Sequence, residues 1–321
     1  MKKRMLALFL AIALSICAAG CTERSSSGEP YKMYLIAKST STEFWKSVFA
    51  GANAAKAEYN IDLTILGPET EDEYQTQNTY IRQAIRDGAD AIIFSAISYT
   101  KNAQAIDEAV EAGVTVVVID SDVDSAGVSV RIGTDNIEAG RMSATAALNT
   151  DFESIVVGIV NCDVETQNGQ ERERGFRAVL EKDERVQEIY TVNVPTDTYL
   201  ARQAAKGLLT EHPEINVLVG FNEPLAVGTA MAVDELGLKG EVREIAFDTN
   251  PICVELLQKS VVSALIVQNP YAMGYMGVEK AWQCLQGQRF DADTQISTPT
   301  TTITRDTMFT IESQKALFSF D

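Results

Sequence analysis

From Tyr31 onward the chain alternates between short apolar runs rich in branched residues and stretches of helical periodicity, and the whole pattern occurs twice. In the first round the apolar runs are residues 31–37, 61–66, 91–95 and 114–120. The helical stretches between and after them include 44–59, 74–87 and 102–112. A strand buried on both faces reads as a nearly continuous apolar run, and its alternation with amphipathic helices marks a parallel sheet covered on both sides. Gly88 and Gly113 fall just past helices, where glycine accepts the left-handed conformation. The second round has strands at 155–161, 189–194, 217–221, 244–247 and 262–267, with helices at 168–181, 200–210, 225–236, 252–259 and 271–286. The pattern predicts an α/β chain of two doubly wound parallel-sheet lobes. Their first boundary falls near Ile132-Gly133-Thr134-Asp135-Asn136, a short strand followed by a helix start.

In open parallel sheets ligands sit beyond the carboxyl ends of the strands, so the polar residue just after each apolar run is a candidate. The rule selects Asp120, Asn222, Asp248 and Gln268. Phe44 and Trp45 follow the first strand and open a helix, and Arg172 lies in the loop-to-helix region after the strand ending near Asn161. Each has a plainer reading. Phe44 and Trp45 also suit the core at a helix start, Asp120, Asn222 and Asp248 suit helix caps or turns, and Arg172 suits a surface ion pair with Glu171 or Glu173. The acidic stretch Glu69–Glu73 reads as a solvated helix start.

The N-terminus has a different character. Lys2, Lys3 and Arg4 precede an uncharged run from Met5 to Ala19. As a helix this run measures roughly 22 Å, short of the ~30 Å hydrocarbon core. A basic start, a short apolar run and small residues are the layout of a secretory signal, so residues 1–20 are expected to be removed. The segment Cys17-Ala18-Ala19-Gly20-Cys21 resembles the bacterial lipobox, with Cys17 where Leu is usual. That resemblance implies cleavage before Cys21, a lipid on its sulfur, and attachment to a bilayer. Residues 21–30 then form a polar, Ser- and Gly-containing linker with no apolar pattern.

Composition removes several function classes. Loss of residues 1–20, which carry three positive and no negative charges, takes the formal net charge from −18 to −21. Nucleic-acid binding needs clustered Lys and Arg, so no nucleic-acid partner is expected. Of five cysteines only Cys162, Cys253 and Cys284 remain beyond the anchor, which permits at most one disulfide and favours buried free thiols. The single histidine, His212 in TEHPEI, cannot supply a multi-His metal site or a pair of imidazoles, which weakens zinc-enzyme and Ser/His/Asp readings. GxxxxGK[ST], HExxH and GxSxG are absent. No cofactor and no metal are expected.

The segments AKSTSTEFWKSVFAGANAAKAE, RDGADAIIFSAIS, VTVVVID, IGTDNIEAG, ERERGFRAVL, LLTEHPEINVLVGFNEPLAVGTAMAV, IAFD and ALIVQNPYAMG follow one another over about residues 31–300. In this order and spacing the chain resembles the periplasmic sugar-binding proteins of the ribose-binding type, whose fold is shared by the ligand domains of LacI-type repressors. The resemblance implies the type I periplasmic binding protein fold, with two lobes joined by a multi-crossover hinge. It assigns residues 31–134 plus 269–297 to an N-terminal lobe and 135–268 plus 298–321 to a C-terminal lobe, the first crossover passing Asp135 and Asn136. It further implies that Phe44 and Trp45 stack on a sugar ring, and that Asp120, Arg172, Asn222, Asp248 and Gln268 bind the hydroxyl rim. Phe176 lies further along the Arg172 helix. Two positions depart from the family pattern. Ser121 stands where ribose and galactose binders commonly carry Arg, and the second-lobe aromatic falls near Thr196, Asp197 or Tyr199.

The leading functional expectation is a lipid-anchored receptor, facing outside the cytoplasm, that delivers a sugar or sugar-like solute to an ABC importer. The alternative keeps the binding but passes the signal to a membrane histidine kinase or chemoreceptor. A glycosidase using Asp120 and Asp248 is a third class, set aside because these positions match binding residues. A DNA-binding repressor fails because no helix-turn-helix precedes Tyr31 and the charge is of the wrong sign.

Overall fold

The computed structural model describes residues 29–162, 166–291 and 294–318. The expected signal, the lipobox and Cys21 lie outside the described residues. In chain order the first elements are β1 (Lys32–Ile36), α1 (Glu43–Tyr59), β2 (Asp62–Leu66), α2 (Tyr74–Arg86), β3 (Ala91–Phe94), α3 (Ala103–Glu111), β4 (Thr115–Ile119) and β5 (Val130–Gly133). There follow α4 (Asn136–Leu148), β6 (Ile155–Asn161), α5 (Gln167–Leu180), β7 (Val186–Asn193), α6 (Thr198–Glu211), β8 (Val217–Gly220), α7 (Glu223–Glu235), β9 (Arg243–Phe247), α8 (Pro251–Gln258) and β10 (Val262–Val267). The chain closes with α9 (Pro270–Leu285), β11 (Gln295–Ser297), β12 (Thr301–Thr304) and α10 (Ile311–Leu317).

The strands form two six-stranded sheets, in the orders β11-β5-β4-β3-β1-β2 and β12-β10-β9-β8-β6-β7. All pairs are parallel except β10 with β12, which is antiparallel. The chain passes between the sheets three times, after β5, after β10 and between β11 and β12. The two α/β lobes have the doubly wound, parallel-dominated character that the apolar runs predicted. In β1, Met33 and Leu35 enter one core layer while Tyr34 and Ile36 enter the layer on the opposite face. This is the two-residue period of a strand buried on both sides. Each fully buried aliphatic side chain in these layers contributes roughly 1.5–3 kcal/mol of burial free energy.

In each lobe two helices cross at backbone contact. A Cβ added at Gly140 of α4 would lie 2.1 Å from the Arg172 carbonyl oxygen, and one added at Gly175 of α5 would lie 2.1 Å from the Ile137 carbonyl oxygen. Only glycine lets α4 and α5 approach this closely, and the crossing fixes the helix that carries Arg172.

Four elements escaped the periodicity. The small side chains of α4 (NIEAGRMSATAAL) present no wide apolar stripe, and the sequence showed only its first residues. β11 and β12 are three- and four-residue edge strands without a continuous apolar run, and α10 is a two-turn helix. β7 begins at Val186, three residues before the expected start, because its N-terminal half is polar and half-exposed on a sheet edge. Cys162 and Cys253 are buried free thiols and Cys284 is a partly buried one. His212 caps the C-terminus of α6, its ring stacked on Tyr190 with centroids 3.7 Å apart.

Candidate functional site

The carboxyl ends of both sheets meet in one cleft. From the first lobe, β1 runs into Lys38, and Thr42 caps α1 by accepting the Trp45 N–H at 3.4 Å, which sets Phe44 and Trp45 on the first turn. The loop after β2 brings Glu71, and β4 ends on Asp120. From the second lobe, α5 brings Asn168 and Arg172, β8 ends on Asn222 and Glu223, β9 ends on Asp248 and β10 on Gln268. Asp120 and Asp248 both hold positive φ, 59° and 68°. Aspartate tolerates this left-handed region better than most residues, and such backbone strain concentrates at functional sites.

All seven residues singled out in the sequence, Phe44, Trp45, Asp120, Arg172, Asn222, Asp248 and Gln268, line a single cavity of about 20 Å³. That volume is on the order of one water molecule. Phe44, Asp248 and Gln268 also line a groove of about 880 Å³ that runs past α1, α8 and the start of α9.

The second-lobe half of the cavity is a continuous polar network. Arg172 is almost fully buried and its guanidinium donates to Asn136 Oδ1 (3.0 Å), the Phe221 carbonyl (2.7 Å) and Gln268 Oε1 (2.6 Å). It is therefore not the surface ion-pair partner of Glu171 or Glu173. The group lies 4.9 Å above the Phe247 ring. Gln268 also accepts from Thr134 Oγ1 of the first lobe (2.7 Å) and donates to Asp248 Oδ1 (2.8 Å). Burial pushes the Asp248 carboxyl up to about 7, against the opposing pull of Arg172 and Gln268. Asn222 accepts the Leu225 N–H as the cap of α7 and donates to Thr196 Oγ1 at 3.4 Å.

The first-lobe half is built around two carboxylates. Asp120 Oδ2 accepts from Ser95 (3.0 Å) and Ser121 (3.3 Å) and lies 3.5 Å from Lys38 Nζ, while its Oδ1 accepts from Asn168 of the second lobe at 3.3 Å. Glu71 Oε2 lies 3.2 Å from Lys38 Nζ, and its Oε1 accepts the Trp45 indole N–H at 2.9 Å. Burial works against the Lys38 charge, but Glu71 and then Asp120 outweigh it and hold the ammonium pKa above its ordinary value. Trp45 is wholly buried and Phe44 packs edge-on against it at 5.2 Å.

The lobes also touch through Glu223. Its carboxylate accepts from the backbone N–H groups of Glu43 (3.2 Å) and Phe44 (2.7 Å) at the start of α1, and from Asn250 Nδ2 (2.8 Å). The first N–H groups of a helix have no intrahelical partner and favour an anion.

Six lining residues were not singled out from the sequence: Lys38, Thr42, Glu71, Asn168, Glu223 and Pro224. Lys38 and Glu223 sit where the strand-end rule points, one residue past Ala37 and Asn222. Glu71 corrects the reading of Glu69–Glu73 as solvated, because its side chain is 11% exposed and pairs with a buried lysine. Of Thr196, Asp197 and Tyr199 none lines the cavity. Asp197 caps α6, and Tyr199 is 59% exposed beneath the Arg202 guanidinium. Pro224 is the apolar ring that this lobe presents instead. Phe176 is core, edge-on to Phe221 at 5.5 Å. Among the described residues no group of three or more His, Cys, Asp or Glu is placed to hold a metal ion, and no helix is long and apolar enough to cross a membrane.

A family model described as periplasmic binding protein domain matches residues 33–289. The D-ribose/D-allose-binding protein of Pseudomonas aeruginosa is 24% identical over 313 residues, 94% of this chain and 98% of its own length. A carbohydrate transporter solute binding protein of Agrobacterium radiobacter, solved in complex with D-arabinose, has a TM-score of 0.87 at 23% identity, over 91% of this chain and 100% of the other. The crystal structure of a sugar transporter from Clostridium phytofermentans gives a TM-score of 0.76 at 31% identity, over 85% of this chain and 99% of the other. With its two lobes, its interlobe cleft and a family match over most of its length, this chain belongs to the periplasmic binding proteins, in their ribose-binding type.

Proposed function

We propose that this chain is an extracytoplasmic solute-binding lipoprotein that captures a sugar between two closing lobes and delivers it to an ABC importer. The observation that carries this reading is the convergence of Asp120, Arg172, Asn222, Asp248 and Gln268 with Phe44 and Trp45 on one cavity between the lobes. A sugar offers apolar C–H faces and a rim of hydroxyls. Aromatic rings cover the faces, and carboxylates, amides and guanidinium exchange hydrogen bonds with the rim. In this reading Phe44, Trp45 and Pro224 contact the faces, while the five polar residues form the ligand's hydrogen-bonding shell.

Closure follows from the volume. A cavity of about 20 Å³ admits no sugar, so the lobe of residues 31–134 plus 269–297 swings away from that of 135–268 plus 298–321 to load, and the lobes close over a bound sugar in an arrangement wider than this one. The three crossovers are the hinge. Ligand favours the closed arrangement to the extent that it binds that arrangement better. Asp120 and Asp248 act as acceptors, and the sugar leaves chemically unchanged. The relatives carry names of sugar-binding and transport proteins, which favours import over sensing. Cys21 supplies the lipid, and residues 22–30 the tether that keeps the receptor beside its permease on the outer face of the membrane.

Uptake tests the reading. A strain lacking the chain should lose import of one labelled sugar, regain it with the wild-type chain, and fail to regain it with Arg172→Met. Unaltered uptake of every sugar in the deletion strain, with loss of a sugar-induced response, would transfer the function to signalling.

A further inference from the structure

We propose that the solute is larger than one sugar ring: a glycoside or disaccharide whose first ring occupies the interlobe cleft and whose second ring lies in the groove of about 880 Å³ beside it. The inference rests on the sugar-binding reading above and names the class of sugar. Phe44, Asp248 and Gln268 line both the cavity and the groove, so the two spaces adjoin at these side chains. A group attached to that side of the first ring enters the groove while the ring keeps its place in the cleft.

The groove is not the gap that closure removes. The lobes here already meet through Glu223 and the start of α1, and the cavity is down to about 20 Å³. The groove nevertheless keeps a volume within the range of small-molecule sites, about 300–1,000 Å³. Its walls come from both lobes. Ser47 of α1 and Tyr271 of α9 stand on the first-lobe side, and Thr249, Gln258 of α8, Thr301 of β12 and Phe318 on the second. The half-buried Tyr271 and the 48% exposed Phe318 supply aromatic surface for the C–H faces of a ring. Ser47, Thr249, Gln258 and Thr301 supply hydroxyl and amide groups for its rim. Among the described residues none of these four side chains has a hydrogen-bond partner in the protein, so their donors and acceptors are open to a ligand. Lys46 lies 2.6 Å from Glu43, and Glu255 lies 2.6 Å from Lys259. The groove faces of α1 and α8 therefore present paired charges, which suits an uncharged second ring. Because the walls belong to both lobes, that ring makes contacts available only when the lobes are together, and it shifts the equilibrium toward the closed arrangement.

The test is calorimetric titration of the wild-type chain, Phe318→Ala and Ser47→Trp. The probes are D-ribose, D-allose, D-arabinose, D-glucose and D-galactose, the methyl and benzyl glycosides of each, and the disaccharides maltose, cellobiose, lactose and melibiose. Wild type should bind at least one glycoside or disaccharide roughly tenfold or more tightly than the matching monosaccharide. Phe318→Ala removes aromatic surface from the groove, and Ser47→Trp fills the groove from α1. Both should erase most of that advantage and leave the monosaccharide affinity as in wild type, because neither residue lines the cavity. A wild type that binds a monosaccharide but binds no glycoside or disaccharide more tightly overturns this inference and leaves the sugar-binding reading standing. So does an advantage that survives both variants, or a loss in both that falls equally on the monosaccharide. Failure of every probe to bind the wild type would refute the sugar-binding reading and this inference with it.

Discussion

Replacing Glu223 with Gln removes the charge by which the second lobe holds the start of α1. The carboxylate accepts two N–H groups, from Glu43 at 3.2 Å and Phe44 at 2.7 Å, and is 5% exposed. Glutamine keeps one acceptor oxygen and turns an amide donor toward the other N–H. The loss combines one charge-assisted hydrogen bond with the attraction between an anion and a helix N-terminus, together about 2 kcal/mol, or roughly thirtyfold in an equilibrium. Because the clasp exists only where the lobes meet, the loss should fall on closure. Apparent ligand affinity should drop by roughly the same factor, since it scales with the closed population, and most of the change should appear in the dissociation rate. Thr42 still caps α1, so circular dichroism and the melting of the unliganded chain should change little. Titration calorimetry gives the affinity and stopped-flow fluorescence of Trp45 the rate. An unchanged affinity with an unchanged dissociation rate would show that Glu223 does not report on closure.

Three further outcomes follow from the site and its supports. Asp248→Asn keeps a residue that tolerates positive φ, and should weaken sugar binding at least about tenfold with the fold intact. Because the folded pKa of Asp248 is raised from 3.8 to about 7, its contribution to stability is full below about pH 4 and is lost as pH rises through 7. The Asn variant should therefore melt above wild type at pH 8 and close to it only below about pH 4. Glu244, raised to about 8 by burial in β9, keeps part of the slope in both proteins. A methyl group at Gly140 meets the Arg172 carbonyl at 2.1 Å. Gly140→Ala should cost about 1–3 kcal/mol by overpacking, read as a lower denaturant midpoint, and should weaken ligand binding by displacing α5. Cys21→Ser should release the chain from membranes without altering sugar affinity, and a variant that still sediments with membranes would remove the lipid anchor from the account.

How much of this was legible beforehand depended on the range of the interactions involved. The strands of both sheets were legible because each is buried on two faces and its apolar run is local in sequence. Asp120, Asn222, Asp248 and Gln268 were legible through a rule of position, that polar residues past parallel strands face the ligand. Arg172 could be found, but its burial could not. Three partners fix it, and Asn136, Phe221 and Gln268 lie 36, 49 and 96 residues away. Glu71 was misread for the same reason, as one of four acidic residues within Glu69–Glu73 whose burial depends on Lys38 and Trp45 from another part of the chain. Lys38 satisfied the positional rule at β1 and was overshadowed by the aromatic pair that follows it. The second-lobe aromatic was not found because the loop before α6 sends Tyr199 to solvent and leaves Pro224 at the cavity.

The central claim is that a sugar binds between the lobes, and the most direct measurement is thermal unfolding of residues 21–321 against a panel of neutral sugars, sugar acids and sugar phosphates. At least one neutral sugar should raise the melting temperature with the logarithmic concentration dependence of one-site mass action. Its acid and phosphate forms should do so only at concentrations at least about tenfold higher, because carboxylates outnumber cations in the cleft. Arg172→Met should abolish the shift. A folded chain whose melting temperature no sugar moves, or moves equally in the Arg172→Met variant, would contradict the account.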